Sequence, residues 1–166
     1  IPLLFMTYAN VIYSYGTDRF MQTDAEIGMN GIILPEVPYE EKDEFAIPAE
    51  ANGLDYISLI APTSENRISM IAKEAKGFVY CVSSLGVTGT RSSITTDISA
   101  MTELVRSVTD VPVFVGFGIS TPEQAHKMAL SSDGVIIGSA IMKLVEKYGA
   151  QCVPYVYEFA KSIKEA

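Results

Sequence analysis

Short apolar runs alternate with amphipathic stretches along the entire chain. Six of the runs are continuously apolar and rich in Val and Ile, a pattern typical of strands in a parallel sheet whose two faces are both covered. Strands that alternate with helices predict parallel pairing through right-handed crossovers. The six predicted strands comprise residues 2–8, 31–34, 56–61, 78–83, 111–117 and 134–137.

Helices are predicted between these strands by apolar spacing and by capping signals. Residues 65–75 place Ile and Ala at i, i+3, i+4 and i+7. Thr121 followed by Pro122 predicts a helix start, with an N-cap and a proline at the first helical position. Another helix is predicted over residues 17–28, capped by its first residue, a threonine. Pro48 is expected to break or kink the helical stretch that surrounds it.

Two architectures fit six consecutive strand–helix units: an open, doubly wound sheet and a closed eight-unit barrel. No GxGxxG motif follows the first strand, which weakens the dinucleotide-binding version of the open sheet. Six units in 166 residues extrapolate to a length close to the ~250 residues typical of a barrel. The sequence also begins without Met, inside a predicted strand.

We therefore expect an α/β fold of the TIM (β/α)8-barrel family. Residues 1–166 would form a single, partial barrel domain of about six parallel βα units, with two N-terminal units missing. A six-stranded open sheet is the alternative.

Composition and charge restrict the functional classes. The net charge of −8 opposes binding to nucleic acid, whose phosphates require clustered Lys and Arg. No apolar run approaches the ~18 residues of a membrane span, so no membrane partner is expected. Cys81 and Cys152 are far apart and lack the spacing of metal ligands, so no metal site is expected. These features fit a protein of the reducing cytoplasm.

Two glycine motifs follow the last two predicted strands: GFGIS at residues 116–120 and GSA at residues 138–140. Glycine lets a phosphate approach backbone N–H groups, and a helix N-terminus adds unpaired donors and the positive end of its dipole. Barrel enzymes commonly bind phosphate with the loops after their last two strands. We therefore predict a phosphate site here. The alternative is that these glycines only permit tight turns.

A loop of about thirteen residues, 84–96, follows the predicted strand at 78–83 and contains the motif GVTG at residues 86–89. It exceeds the usual connection of about 2–6 residues, and long loops frequently act as lids. A surface excursion without function is the alternative.

Groups for acid–base or nucleophilic chemistry are scarce in the sequence. It shows no His/Cys/Asp pairing for nucleophilic catalysis, and His126 is interpreted as an ordinary helix residue. Glu36 is the main strand-end carboxylate, and a structural hydrogen bond to nearby backbone is its alternative role. Tyr8, Tyr80 and Phe117 lie at or near strand ends, where aromatic groups beside a phosphate site suit a flat apolar substrate with a phosphate tail.

Five segments together resemble the tryptophan synthase α chain, in that family's order and over essentially all of the chain. They are LLFMTYAN, GIILPEVPYEE, GFVYCVSSLGVTG, PVFVGFGIS and DGVIIGSAI. The match corresponds to the third through eighth βα units of the family's barrel. The resemblance implies retro-aldol cleavage of indole-3-glycerol phosphate to indole and glyceraldehyde 3-phosphate. Indole then passes to a β subunit, to which the PLP belongs, so no cofactor is implied for this chain.

The resemblance also implies roles for individual residues. Tyr80 is similar to the family's active-site tyrosine, and Thr88 and Gly86 to residues of its lid loop. The phosphate would be bound by Gly89, Gly118, Gly138 and Ser139. The indole pocket would comprise Met6, Tyr8, Ile33, Ile60, Val82, Phe117 and Ile136. The β subunit would face residues 9–13 and 35–38, including Asn10, Val11, Glu36 and Pro38.

The chain departs from the family pattern in three places. The family's catalytic glutamate and the aspartate that holds the indole nitrogen lie on the second unit, which has no counterpart here. We therefore expect this chain alone to be inactive, because acid–base catalysis requires positioned groups. The family's usual Asn-Pro is Asn10-Val11 here, and the Asp of its Pro-Asp-Leu-Pro turn is Glu36.

Two other functions are weighed against the lyase. The first is a non-catalytic fragment that binds a phosphate ester or the β subunit. The second is a different phosphate-handling barrel enzyme, such as a sugar-phosphate isomerase, which would need a strand-end base.

Overall fold

The computed structural model describes residues 1–82, 98–116 and 118–166. Seven strands are present in this part of the chain: β1 (Leu4–Met6), β2 (Gly31–Ile33), β3 (Asp55–Tyr56), β4 (Ser58–Ile60), β5 (Val79–Val82), β6 (Val113–Gly116) and β7 (Gly134–Ile136). The α-helices of the same ranges are α1 (Ala9–Tyr15), α2 (Thr17–Glu26), α3 (Asp43–Ala51), α4 (Glu65–Lys73), α5 (Ile98–Arg106), α6 (Pro122–Ala129), α7 (Ser139–Tyr148) and α8 (Val153–Lys164).

All strand pairs in the described residues are parallel, and each strand pairs with its neighbour in sequence. The orders are β1-β2-β3 and β4-β5-β6-β7. β3 and β4 are two halves of one strand, interrupted at Ile57, whose N–H donates to the Ile32 carbonyl at 2.9 Å. This strand therefore pairs with β2 through its first half and with β5 through its second.

The sequential order distinguishes the two predicted architectures. A doubly wound sheet reverses its strand order at a switch point, and no such reversal occurs among the described strands. Six successive strand positions, each joined by helical segments to the next, form part of the wall of a (β/α) barrel. The expectation of an incomplete barrel of about six parallel units is confirmed.

Side chains alternate between the two faces of this wall, as the pleat of a strand requires. On β5, Val79 and Cys81 pack outward against the helices, whereas Tyr80 and Val82 belong to an inner cluster. That inner cluster also contains Ile33 and Ile57 among its buried members. Both faces of the strands are apolar, which explains why their sequences are continuously hydrophobic.

The helix ends agree in part with the capping signals. Thr121 caps α6: its side chain accepts from the Gln124 N–H at 3.3 Å, and the Gln124 side chain accepts from the Thr121 N–H at 3.2 Å. Thr17 was expected to be an N-cap, but it is the first residue of α2, and Gly16 (φ 96°) holds the cap position. The residue that turns the chain between α1 and α2 must adopt a positive φ, which glycine does without strain.

Pro48 does not break its helix. α3 begins at Asp43 and continues past Pro48 to Ala51, so the expectation of a break is wrong. Proline removes one N–H donor from the helix, and the Pro48 carbonyl is itself satisfied by the Asn52 side chain at 2.9 Å. The burial of Phe45, Ala46 and Ala49 on one face keeps the short helix against the wall.

The carboxylate of Asp133 connects α5 to the starts of β6 and β7, and we call this set of contacts the Asp133 clasp. Asp133 accepts from the Val113 N–H at 2.8 Å and from the Arg106 guanidinium at 2.9 Å. The Asp133 N–H donates to the Val113 carbonyl, also at 2.8 Å. The Val113 N–H, and secondarily Arg106, lowers the pKa of Asp133.

Candidate phosphate and aromatic-ligand site

The strand register brings the two predicted glycine motifs to one edge of the wall. Gly116 at the end of β6 pairs with Ile136 at the end of β7. Gly118 and Gly138 each lie two residues beyond these partners. Because parallel strands end on the same side of a sheet, both motifs lie at its carboxyl-terminal edge. Gly118 has φ 77°, a conformation that favours glycine.

The N-terminus of α7 is arranged to donate hydrogen bonds to an anion. Gly138 is its N-cap, and within the described residues no side chain caps it and no acidic residue occupies its first turn. A Cβ built on Gly138 would have no heavy atom within 4 Å in this part of the chain, so the space beside it is open. An uncapped helix start with open space beside it offers N–H donors and a favourable dipole to an anion.

The N-terminus of α6 differs from that of α7 in this respect. Its capping box already engages donors at the start of the helix, and the Gln124 side chain also accepts from the Ser120 N–H at 2.8 Å. Of the two helix starts next to the glycine motifs, α7 therefore has the more accessible donors.

Tyr80 is held on the inner face of the wall by a glycine of the adjacent strand. A Cβ built on Gly116 would lie 2.5–2.8 Å from the Tyr80 ring and hydroxyl, so the ring occupies the space that any other residue at 116 would need. Burial raises the pKa of the Tyr80 hydroxyl. A protonated phenol is thereby positioned below the strand ends.

Some of the predicted pocket residues lie together with Tyr80. Ile33 and Val82 are buried in the inner cluster, and Ile136 packs against it. Met6 pairs in register with Ile33 but is 52% exposed, because β1 is at the edge of the described wall. The inner cluster thus provides one continuous apolar surface below the glycine motifs.

Other predicted pocket residues lie elsewhere. Ile60 packs in the outer cluster, between the wall and the helices, on the face opposite Tyr80. Tyr8 is 64% exposed at the start of α1. Phe117, predicted for the pocket, lies outside the described residues, as do Gly86 and Thr88 of the predicted lid and Gly89 of the predicted phosphate site.

The loop after β2 is tied to α1 by Glu36. Its carboxylate accepts a hydrogen bond from the N–H of Ala9, the first residue of α1, a helix that otherwise lacks a side-chain cap in the described structure. Glu36 therefore makes a structural hydrogen bond to backbone, which was the alternative role considered for it in the sequence. Its partner lies 27 residues away along the chain. Asn10, Val11 and Pro38, which flank this contact, are exposed.

Ion pairs hold the same loop to α4. The Arg67 guanidinium binds both oxygens of Glu40, at 2.6 and 3.0 Å, and lowers the pKa of Glu40 to about 2. Lys42 lies 3.1 Å from Glu74. A cavity of about 620 Å³ opens between this loop, α4 and the inner residues Leu59 and Val82. Its volume is within the range of small-ligand pockets.

The described residues contain neither a metal-binding cluster nor a membrane-spanning helix. No cluster of three His, Cys, Asp or Glu side chains could hold a metal ion in these ranges. No helix there has the length and hydropathy needed to cross a membrane.

Comparison with known protein families identifies the family of this chain. The family model described as tryptophan synthase alpha chain matches residues 1–166. The chain belongs to this family. Curated tryptophan synthase alpha chains include one from Lacticaseibacillus casei, 45% identical over 100% of this chain and 62% of the relative. Another, from Geobacter sulfurreducens, is 44% identical over 100% of this chain and 64% of the relative.

Solved structures of tryptophan synthase alpha subunits have the same fold. The Campylobacter jejuni subunit aligns with a TM-score of 0.85 at 34% identity, over 98% of this chain and 64% of that one. A chain of the Pyrococcus furiosus tryptophan synthase a2b2 complex aligns with a TM-score of 0.86 at 28% identity, over 99% of this chain and 67% of that one. This chain therefore spans a little under two-thirds of the length of the curated relatives above.

Sequence reasoning did not predict the contact between Gly116 and Tyr80 in the candidate site. Gly116 was assigned only to a phosphate-binding motif, whereas the structure shows it in contact with Tyr80. The available signal was a glycine inside an apolar strand, which often marks a close approach by another group.

Proposed function

We propose that this chain supplies the phosphate- and indole-binding part of a lyase of tryptophan biosynthesis that cleaves indole-3-glycerol phosphate to indole and glyceraldehyde 3-phosphate. The observation that supports it is the register of β6 and β7, which brings Gly118, Gly138 and Ser139 to one edge beside an inner apolar cluster. A flat aromatic group with a phosphate tail matches this combination of surfaces.

The phosphate group binds to backbone donors in this proposal. Gly138 and Ser139 at the start of α7 provide N–H groups and the helix dipole, Ser139 adds a hydroxyl, and Gly118 and Gly89 contribute from their loops. Thr88 and Gly86 belong to a lid over the ligand.

The indole ring occupies the inner cluster beside Tyr80. Ile33, Val82 and Ile136 provide apolar contacts there, and Met6, Tyr8 and Phe117 are retained as family-implied candidates. Ile60 is not retained, because it packs on the opposite face of the wall. A buried, protonated Tyr80 can donate a hydrogen bond to the substrate without carrying charge.

The chain's own contribution to the reaction is binding and orientation. The retro-aldol step breaks a carbon–carbon bond and requires a positioned acid and base. Glu36, the strand-end carboxylate of the described residues, is engaged with the Ala9 N–H. We therefore assign no acid–base role within the chain, and a non-catalytic phosphate-ester or β-subunit-binding fragment is the alternative.

The partner of this chain is a PLP-dependent tryptophan synthase β subunit in this proposal, and the chain carries no cofactor of its own. The Pyrococcus furiosus relative is a chain of a tryptophan synthase a2b2 complex. The exposed residues Asn10, Val11 and Pro38, joined by the Glu36 contact, form the proposed surface. The location is cytoplasmic.

Titration with glyceraldehyde 3-phosphate tests the proposed phosphate site. Amide NMR shifts should change at Gly118, Gly138 and Ser139. Ser139→Ala should weaken binding by about tenfold, the loss expected for one hydrogen bond to a charged group. Gly138→Ala should weaken it further, because the added Cβ fills the space where the anion sits.

Ser162→Ala is the matched control, since this exposed serine lies on α8 and donates to the Phe159 carbonyl. Equal affinities for all four proteins, or shifts confined to another surface, would contradict the phosphate assignment.

A further inference from the structure

Two aromatic rings close the inner face of the wall below Tyr80. The ring centroids of Phe78 and Phe114 are 5.0 Å apart, with an angle of 36° between the planes. Phe78 packs against the inner cluster. Phe114 shares that face, because its neighbours Val113 and Val115 pack outward.

A glycine of the next strand fixes the position of the Phe114 ring. Phe114 pairs in register with Gly134 on β7, and a Cβ built on Gly134 would lie 3.2 Å from the ring. The ring therefore lies over the glycine in a space that a larger residue would reduce. Tyr80 pairs in register with Phe114, and its ring extends toward the strand ends over Gly116, two residues beyond Phe114.

The two layers define a depth along the strands. Phe78 and Tyr80 are two residues apart on one face of the wall, a rise of roughly 7 Å. Gly116 is likewise two residues beyond Phe114. A ligand held at the strand ends beside Tyr80 therefore meets the pair of phenylalanine rings as the next layer below.

We propose that Phe114, supported by Phe78 and seated over Gly134, sets the depth of the aromatic pocket and limits its occupant to about two fused rings. This inference rests on the proposed indole site and names the residue that selects ligand size within it. Apolar pockets discriminate by volume, and one extra methylene alters selectivity by roughly 10–200-fold. Phe114 is half-buried, and removing its ring leaves an apolar space that an additional aromatic ring can fill.

The test compares two probes that differ by one fused ring, indole and benzo[g]indole, by NMR titration of the 166-residue chain. Phe114→Ala should shift the affinity ratio at least tenfold toward the three-ring probe. Phe114→Leu should shift it in the same direction by less. Phe45→Leu, a buried substitution in the separate cluster that contains Ile32 and Ala46, is the matched control and should leave the ratio unchanged. Glyceraldehyde 3-phosphate should bind all variants equally, which shows that they are folded.

Gly134→Ala provides an independent variant that acts from the other side of the ring. Its Cβ should push Phe114 into the pocket and weaken indole binding, and Phe114→Leu in the same chain should restore it. Non-additivity of this kind is expected for side chains in contact.

The outcomes separate the two proposals. If wild type binds indole but Phe114→Ala and Phe114→Leu leave the ratio unchanged, the depth limit is wrong and the indole site stands. If neither wild type nor any variant binds either probe, the indole site is wrong and the depth limit with it. A failure of Phe114→Ala to fold leaves Phe114→Leu and Gly134→Ala to decide the depth limit.

Discussion

Asp24 is a carboxyl group placed among apolar side chains. It is 2% exposed on the inward face of α2, next to Met21, and neither of its oxygens has a hydrogen-bond partner among the described residues. Burial raises the pKa of Asp24, because desolvation disfavours the charged form. An acid whose folded-state pKa is raised contributes stability below its unfolded pKa and loses it as pH rises through the folded value.

Replacing Asp24 should therefore stabilise the chain most at neutral pH. Asp24→Asn removes the charge and should flatten the rise in stability that wild type shows as pH falls from 7 toward 4. Asp24→Ala should raise the free energy of unfolding at pH 7 by about 1–3 kcal/mol, the usual cost of a buried unsatisfied polar group. Urea denaturation across this pH range measures both effects.

Gln22→Ala on the exposed side of α2 is the control for Asp24→Ala, since it reports the gain from helix propensity together with the loss of the exposed Gln22–Glu26 hydrogen bond. A wild-type stability that is independent of pH between 4 and 7, with no gain in either variant, would contradict both the raised pKa of Asp24 and the cost of its unsatisfied carboxyl group.

Among contacts between secondary-structure elements, the Asp133 clasp should affect stability with a pH dependence opposite to that of Asp24. Its pKa is lowered in the folded state, so its contribution is present above the unfolded pKa and is lost as pH falls through the folded value. Asp133→Ala should destabilise the chain by about 1 kcal/mol at pH 7, allowing for its partial exposure. Below the folded pKa the variant and wild type should converge in denaturation experiments, whereas Asp110→Ala, an exposed control, should have little effect at any pH.

Strand positions were predictable from the sequence because apolar side chains cover both faces of the wall. The start of α6 was predictable because its cap is local, from Thr121 to Gln124. α1 was not predicted, since it lacks an acidic first turn and its N-terminus is capped by Glu36 from another unit. The burial of Asp24 on α2 was not predicted either, because it is a charged residue at a core position.

The positions of the candidate-site residues could likewise be predicted only in part. The position of the two glycine motifs at one edge of the wall could be predicted from local sequence, since these glycines follow strands and precede helix starts. Contacts between strands could not, because the position of Tyr80 over Gly116 and of Phe114 over Gly134 depends on register. Ile60 illustrates the same limit, since a shift of one residue along a strand places a side chain on the opposite face.

At the scale of the whole molecule, the described wall has two free edges. β1 and β7 each pair on one side only in these residues, and apolar groups such as Met6 and Met142 are exposed near them. α7 and α8 bury no side chain fully within the same part of the chain. Among the described residues, the candidate pocket is thus open beside both edge strands, β1 and β7.

The purified 166-residue chain should bind ligand without turnover. We expect no release of indole from indole-3-glycerol phosphate, because the described residues offer no free strand-end carboxylate as acid or base. A coupled assay for glyceraldehyde 3-phosphate measures the rate, and a tryptophan synthase alpha chain of full length, such as that of Lacticaseibacillus casei, is the positive control. Turnover above the uncatalysed rate would show that another group in this chain performs the chemistry.

The sequential strand order has a consequence for how the protein forms during synthesis. Polar contacts between consecutive units recur at a fixed spacing of 27 residues, in the pairs Leu3–Asn30, Ala9–Glu36, Glu40–Arg67 and Arg106–Asp133. Ribosomes add about 5–20 residues per second, so each new partner emerges roughly 1–5 s after the one before it. Loops of equal, moderate length close at similar entropic cost. A nascent chain can therefore dock each unit on its predecessor as it leaves the ribosome, without waiting for distant segments.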